Sequence, residues 1–104
     1  MSRFDKLQKM LMADPGDTFV LYALAQEHAR LGQHGEAIAY FDRTLGVDPA
    51  YCYAYFHKAK SQQAMADLPA ARATVQAGVA AAHRSGDAKA LNELSSLATE
   101  LSES

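Results

Sequence analysis

The chain has 104 residues, a formal net charge of -2 and one cysteine. A chain of this length forms one domain, and its 49% hydrophobic content can build a core, which excludes a disordered tail. Lysine and arginine are scattered, so nucleic-acid binding is not expected. The polar start MSRFDKLQKM has no apolar signal core, and no stretch approaches the roughly 18 apolar residues of a membrane span. We therefore expect a cytoplasmic protein without a membrane partner.

Residues with high helix propensity dominate the chain, which predicts an all-α fold. Regularly placed turn residues divide it into about six helices. In chain order these are predicted at about residues 3–12, 18–31, 36–47, 50–65, 68–83 and from 87 onward. Asp67 and Asp87 are predicted N-caps, and Pro69 falls in a first helical turn, where its missing N–H costs little. The short loops predict that consecutive helices are antiparallel neighbours.

A period runs through the middle of the chain. Two Asp-Pro steps, ending at Pro15 and Pro49, lie 34 residues apart. The same shift superimposes pairs that share size and polarity: Ala25 and Ala59, Ala37 and Ala71, Phe41 and Val75, Leu45 and Val79. A period of this length is typical of stacked helix–turn–helix units.

The first unit resembles the tetratricopeptide repeat, whose pattern is Trp-x2-Leu-Gly-x2-Tyr, then Ala-x3-Phe, then Pro. Its matching residues are Leu21, Leu24, Ala25, His28, Ala37, Phe41 and Pro49. The second unit matches less fully, at Tyr55, Ala59, Ala71 and Val75, and has His83 in place of the proline. The chain is thus similar to a small bacterial-type member of this family. The resemblance implies a right-handed superhelix of antiparallel helix pairs in a single domain over residues 1–104: an N-terminal half-repeat helix (1–16), repeat 1 (17–50), repeat 2 (51–84) and a capping helix (85–104).

Two positions depart from the family pattern. Lys58 takes the slot of a core leucine and Gln62 that of a core tyrosine, four residues apart on one helical face. Either Lys58 extends its amine out of a thin core, or that helix is rotated. The last helix also slips by about one residue against a strict continuation of the period.

The resemblance implies a concave groove, lined by the first helix of each unit, that binds extended peptides or helices. The residues placed there by alignment are Phe19, Tyr22, Gln26 and Arg30 in repeat 1 and Tyr53, Phe56, Lys60 and Gln63 in repeat 2. Each set forms one helical stripe. An aromatic floor suits a peptide with apolar anchors, and the basic pair Arg30 and Lys60 is expected to hold an acidic group. Some family members hold acidic chaperone tails in an Asn- and Lys-rich clamp, of which Gln26, His57 and Lys60 reproduce only a part.

Aromatic stripes on helices also form cores. Phe19 and Tyr53, near helix starts, are therefore expected to be less exposed in the groove than Tyr22 and Phe56.

The remaining polar candidates are expected to have structural roles or to be solvated. His28 is expected to be a half-buried core residue, His34 and His83 to be solvated, Cys52 to be partly buried, and Glu27, Glu36 and Asp42 to form a solvated face. The four histidines have no metal-ligand spacing.

The chain has no glycine-rich phosphate loop and no Gly-x-Ser-x-Gly elbow. We therefore predict no catalytic residue, no metal, no cofactor and no enzyme activity. Two functions remain. The first is an adaptor or scaffold that binds a peptide or a helix of a protein partner in the groove. The second is self-association through the first helix or the groove face, since Phe4, Leu7, Met10 and Leu11 on the first helix would leave an apolar edge that a homodimer covers.

Overall fold

The computed structural model describes residues 2–103, and within them six α-helices are joined by short turns, with no strand. The helices are α1 Arg3–Ala13, α2 Thr18–Arg30, α3 His34–Val47, α4 Cys52–Ala64, α5 Leu68–Ser85 and α6 Ala88–Ser102. The six predicted helices and the all-α class are confirmed. Two starts differ from prediction: α3 begins at His34, and α4 begins at Cys52, because the Ala50 N–H bonds Asp48 Oδ1 in a turn at 3.0 Å.

The helix ends follow the residues that mark them. Asp67 accepts a hydrogen bond from the Ala70 N–H at 3.3 Å, and Asp87 accepts one from the Ala90 N–H at 3.0 Å, so both predicted N-caps are confirmed. Gly32 follows α2 with a φ of +77°. Ala66, 34 residues later, has a φ of 62° and is the one non-glycine residue with positive φ within residues 2–103. The two inter-helix turns of the repeat therefore share one backbone geometry.

The helices form an elongated stack, with extents of 41 × 29 × 18 Å. The antiparallel pairs are α2 with α3 and α4 with α5; α1 packs on α2, α3 on α4, and α6 on α5. Alanines at the crossings let the helices approach closely, and Phe41 is fully buried between repeats beside Ala54. In the next pair, Ala59 and Val75 belong to a fully buried cluster with Leu101 of α6.

The two unusual core slots are occupied by polar groups that find partners. The Lys58 side chain is 22% exposed and extends its Nζ to within 2.6 Å of Asp42 Oδ1 on α3. Gln62 Oε1 accepts a hydrogen bond of 2.6 Å from the Thr74 hydroxyl on α5. Of the two interpretations, the extended lysine is correct. Within residues 2–103, every buried side-chain nitrogen and oxygen has a hydrogen-bond partner.

The histidines and the cysteine differ in part from prediction. His28 is a core residue, more buried than expected: its ring stacks on Tyr40 at 5.3 Å. His83 is exposed, as predicted. The prediction of a solvated His34 is wrong, since the earlier start of α3 brings its Nδ1 to 3.1 Å from the Ser61 hydroxyl. Cys52 is buried rather than partly buried, with its thiol donating to the Ala50 carbonyl.

Candidate functional site

Two cavities lie on the face of the stack formed by α2, α4 and α6, which we call the groove face. The α2–α4 cavity has a volume of about 400 Å³ and is lined by Gln26, Ala29, Arg30, His34, Phe41, His57, Lys60 and Ser61. The α4–α6 cavity has a volume of about 320 Å³ and is lined by Phe56, Lys60, Asn92, Glu93, Ser96, Leu97 and Glu100. Lys60 borders both cavities. The groove face is therefore divided by α4 into two compartments that meet at one lysine.

Five of the nine predicted groove residues border these cavities: Gln26, Arg30, Phe56, His57 and Lys60. Gln63 lies next to them, where its Nε2 donates to Glu100 Oε2 at 2.9 Å. Phe19, Tyr22 and Tyr53 border neither cavity. The expected order of exposure is wrong for Phe19, which is 63% exposed, whereas Tyr22 is half-buried.

Tyr22 is half-buried because it packs into an aromatic cluster around His57. Its ring lies 4.8 Å from that of Tyr51, 6.0 Å from that of Phe41 and 5.9 Å from that of His57. Burial raises the pKa of Tyr22 to about 12, and the neighbouring phenols of Tyr51 and Tyr53 contribute to the rise. Burial, followed by the nearby charge of Lys60, lowers the pKa of His57. Both shifts favour the uncharged form of the side chain, Tyr22 as a phenol and His57 as a neutral imidazole.

The two predicted groove cations differ in their surroundings. Arg30 Nη2 lies 2.8 Å from Glu27 Oε2 on its own helix, and Glu27 Oε1 lies 3.2 Å from Arg3 Nε. The hydrogen bond from Arg30 lowers the pKa of Glu27. Glu27 is therefore not on a solvated face, and Arg30 is already engaged. Lys60 is exposed and forms no ion pair with any residue in the range 2–103, so it is the cation that faces both cavities.

The residues that α6 contributes were missed by the sequence prediction, which treated this helix as a solvating cap. Glu93, Leu97 and Glu100 recur at helical spacing and line the α4–α6 cavity. The period did not locate them because α5 has 18 residues where α3 has 14. A longer second helix breaks the 34-residue spacing before α6 begins. The i, i+4, i+7 pattern of these residues was the signal available in the sequence.

Among residues 2–103, no set of three or more histidine, cysteine or acidic side chains is placed to hold a metal ion. None of the helices there combines the length and the apolar character needed to cross a membrane.

Antiparallel helix pairs stacked in one direction, with alternate helices lining one face, define an α-helical repeat protein. No protein-family model matches the chain, and no curated protein matches it. A tetratricopeptide repeat domain protein from Salinibacter ruber is similar in structure, with 33% identity, 85% of this chain and 89% of that chain covered, and a TM-score of 0.78. A protein from Bordetella parapertussis is 25% identical, with 99% and 90% covered and a TM-score of 0.86. The TPR2B domain of yeast Sti1, in complex with pHsp70, is 24% identical, with 96% and 80% covered and a TM-score of 0.90. The chain belongs to the tetratricopeptide repeat family.

Proposed function

We propose that this protein is a non-catalytic interaction module, an adaptor or scaffold, that binds a peptide or a helix of a partner protein on the groove face. The observation that carries the proposal is the pair of cavities that meet at Lys60. A segment laid across α2, α4 and α6 contacts both compartments in turn. Each offers apolar wall area, with Ala29 and His57 on one side and Phe56 and Leu97 on the other, surrounded by polar groups.

The comparison with yeast Sti1 supports this proposal at the level of the fold. That domain forms a complex with pHsp70, so a helical stack of this geometry is able to hold a protein partner. The groove surface we assign to this chain comprises Phe19, Tyr22, Gln26, Arg30, Tyr53, Phe56, His57, Lys60 and Gln63, together with the cavity-lining residues of α6. Phe19 is its most accessible aromatic residue, which makes it a candidate anchor contact.

A charge reversal tests the proposal while sparing the core. Lys60→Glu changes an exposed side chain that borders both cavities, whereas Lys89→Glu makes the same change at an exposed lysine of α6 that borders neither. Affinity capture from a lysate of the source organism, read by quantitative mass spectrometry, should lose its enriched proteins with Lys60→Glu and keep them with Lys89→Glu. Equal capture by both variants, with circular dichroism showing both folded, would refute the assignment of the groove face.

Self-association through α1 is the alternative proposal. Fewer apolar side chains of α1 are exposed to support it than the sequence predicted. Leu7 and Leu11 are buried in the core cluster with α2, and Phe4 packs edge-on against His28. The large apolar side chains of α1 that stay exposed are Met10, at 47%, and Met12, at 82%. Multi-angle light scattering that gives the monomer mass at every concentration tested would exclude this alternative.

A further inference from the structure

The two compartments of the groove face differ in charge. Glu93 and Glu100 border the α4–α6 cavity, whereas no carboxylate is among the residues that line the α2–α4 cavity. Lys60 borders both cavities, and in the α4–α6 cavity its single positive charge is outnumbered by the two carboxylates. The α4–α6 cavity is therefore net negative, and a partner segment meets opposite fields on the two sides of α4.

Neutral side chains of α4 lie beside the two carboxylates at the rim of this cavity. The Gln63 amide donates to Glu100 Oε2 at 2.9 Å. Burial raises the pKa of Tyr53, and the nearby Glu93 carboxylate adds to the rise, so Glu93 lies close to the Tyr53 hydroxyl. An ionised carboxylate has about four lone-pair sites, so Glu93 retains capacity to accept from an incoming group. No lysine or arginine in residues 2–103 forms an ion pair with Glu93. Glu93 thus keeps a negative charge that no ion pair within that range compensates.

The floor of the same cavity is apolar, formed by Phe56 and Leu97. A purely apolar side chain would cover this floor but would strip water from the carboxylates without replacing its hydrogen bonds. An acidic side chain would be repelled by them. The side chain of lysine or arginine suits both the apolar floor and the carboxylates. Its methylene stem covers apolar surface, while its charged head reaches a carboxylate or the face of an aromatic ring.

We propose that the partner peptide inserts a lysine or arginine side chain into the α4–α6 cavity, with its stem against Phe56 and Leu97 and its head on Glu93, on the side of the cavity that Glu100 also borders. This inference rests on the proposed function and specifies the chemistry of the bound segment: a basic residue flanked by apolar ones. The inference predicts that the preference for a basic residue depends on the sign of the charge at α6. Whether the groove binds peptides at all is a separate question that the proposed function answers.

Selection from a random dodecapeptide library displayed on phage tests this inference. The baits are the wild-type protein, Glu93→Gln, Glu93→Lys and, as a matched control, Glu36→Lys, which reverses an exposed charge on α3 away from both cavities. Circular dichroism checks that each bait is folded. We expect the wild type and Glu36→Lys to enrich peptides with lysine or arginine beside apolar residues. Glu93→Gln should weaken this preference, and Glu93→Lys should abolish or invert it.

The affinity of one selected peptide for the wild type, measured by fluorescence anisotropy, should fall about tenfold or more when its basic residue is replaced by glutamine, because a hydrogen-bonded charge is lost. The effect should shrink in Glu93→Gln and at high salt. Enriched peptides without a basic residue, or with the same basic preference in Glu93→Lys, would overturn the inference and leave the peptide-binding function intact. A library from which no bait enriches any peptide above the blank surface would overturn both.

Discussion

Gly78 is the point at which the second repeat has no room for a side chain. A Cβ atom placed there would lie 2.7 Å from Tyr55 Cβ on α4 and 2.9 Å from Leu94 Cδ2 on α6. Tyr55 cannot withdraw easily, because its hydroxyl donates to the Pro49 carbonyl at 2.8 Å and the close atom is next to its backbone. Leu94 is 1% exposed, so the leucine is confined as well. Gly78→Ala therefore forces α5 away from two helices at once.

The expected magnitude combines two opposing effects. Overpacking a filled core costs about 1–3 kcal/mol, while replacing a helical glycine by alanine contributes about 0.5–1 kcal/mol of stability. Gly46→Ala is the matched control, since Gly46 lies within α3 and a Cβ there meets nothing within 4 Å. We expect Gly46→Ala to raise the free energy of unfolding and Gly78→Ala to lower it, so that the two variants differ by about 1–3 kcal/mol. Urea denaturation followed by circular dichroism measures both. A stabilisation by Gly78→Ala equal to that by Gly46→Ala would show that α5 does not pack this closely on Tyr55.

The remaining predictions concern backbone strain and pH. Ala66 has a φ of 62° at the position equivalent to Gly32. Ala66→Gly should therefore stabilise the fold by up to about 1 kcal/mol, and Gly32→Ala should destabilise it. The opposite signs in urea denaturation would contradict a shared turn geometry. The pKa of Tyr22 is raised from 10.0 to about 12, so Tyr22 ionises at lower pH in the unfolded chain than in the folded protein. The contribution of the un-ionised Tyr22 to stability should be complete below pH 10 and should be lost as pH rises to about 12. Ultraviolet titration of Tyr22→Phe should lack one late-ionising tyrosine, and its stability should fall less over that range; unchanged titration would contradict the burial of Tyr22.

The fold was predictable because the signals that end helices are local. Asp67 and Asp87 cap their helices with their own side chains, and Gly32 and Gly86 adopt the left-handed conformation that glycine favours. The repeat then places these helices in pairs, because a period of 34 residues brings the same faces together in each unit. None of these signals depends on contacts distant in the sequence.

The site was less predictable because it depends on such distant contacts. The α6 side of the groove face was missed, since the added length of α5 shifts α6 out of the period. The partial burial of Tyr22 depends on Tyr51 and His57, which belong to the next unit. The engagement of Arg30 is different, because Glu27 lies three residues before it on the same helix, a spacing that predicts an ion pair.

The linear order of helix contacts sets how the molecule loses structure. The backbone of α1 approaches only that of α2, whereas α4 lies against α2, α3, α5 and α6. In a stack where each helix is stabilised mainly by its neighbours, an end helix can separate while the remaining helices stay packed, but the loss of α4 separates α1–α3 from α5 and α6. Amide protection should therefore be lowest in α1 and highest in α4. The helix that carries Lys60 and separates the two cavities is thus also the last to open, so the α2–α4 cavity persists when α6 opens.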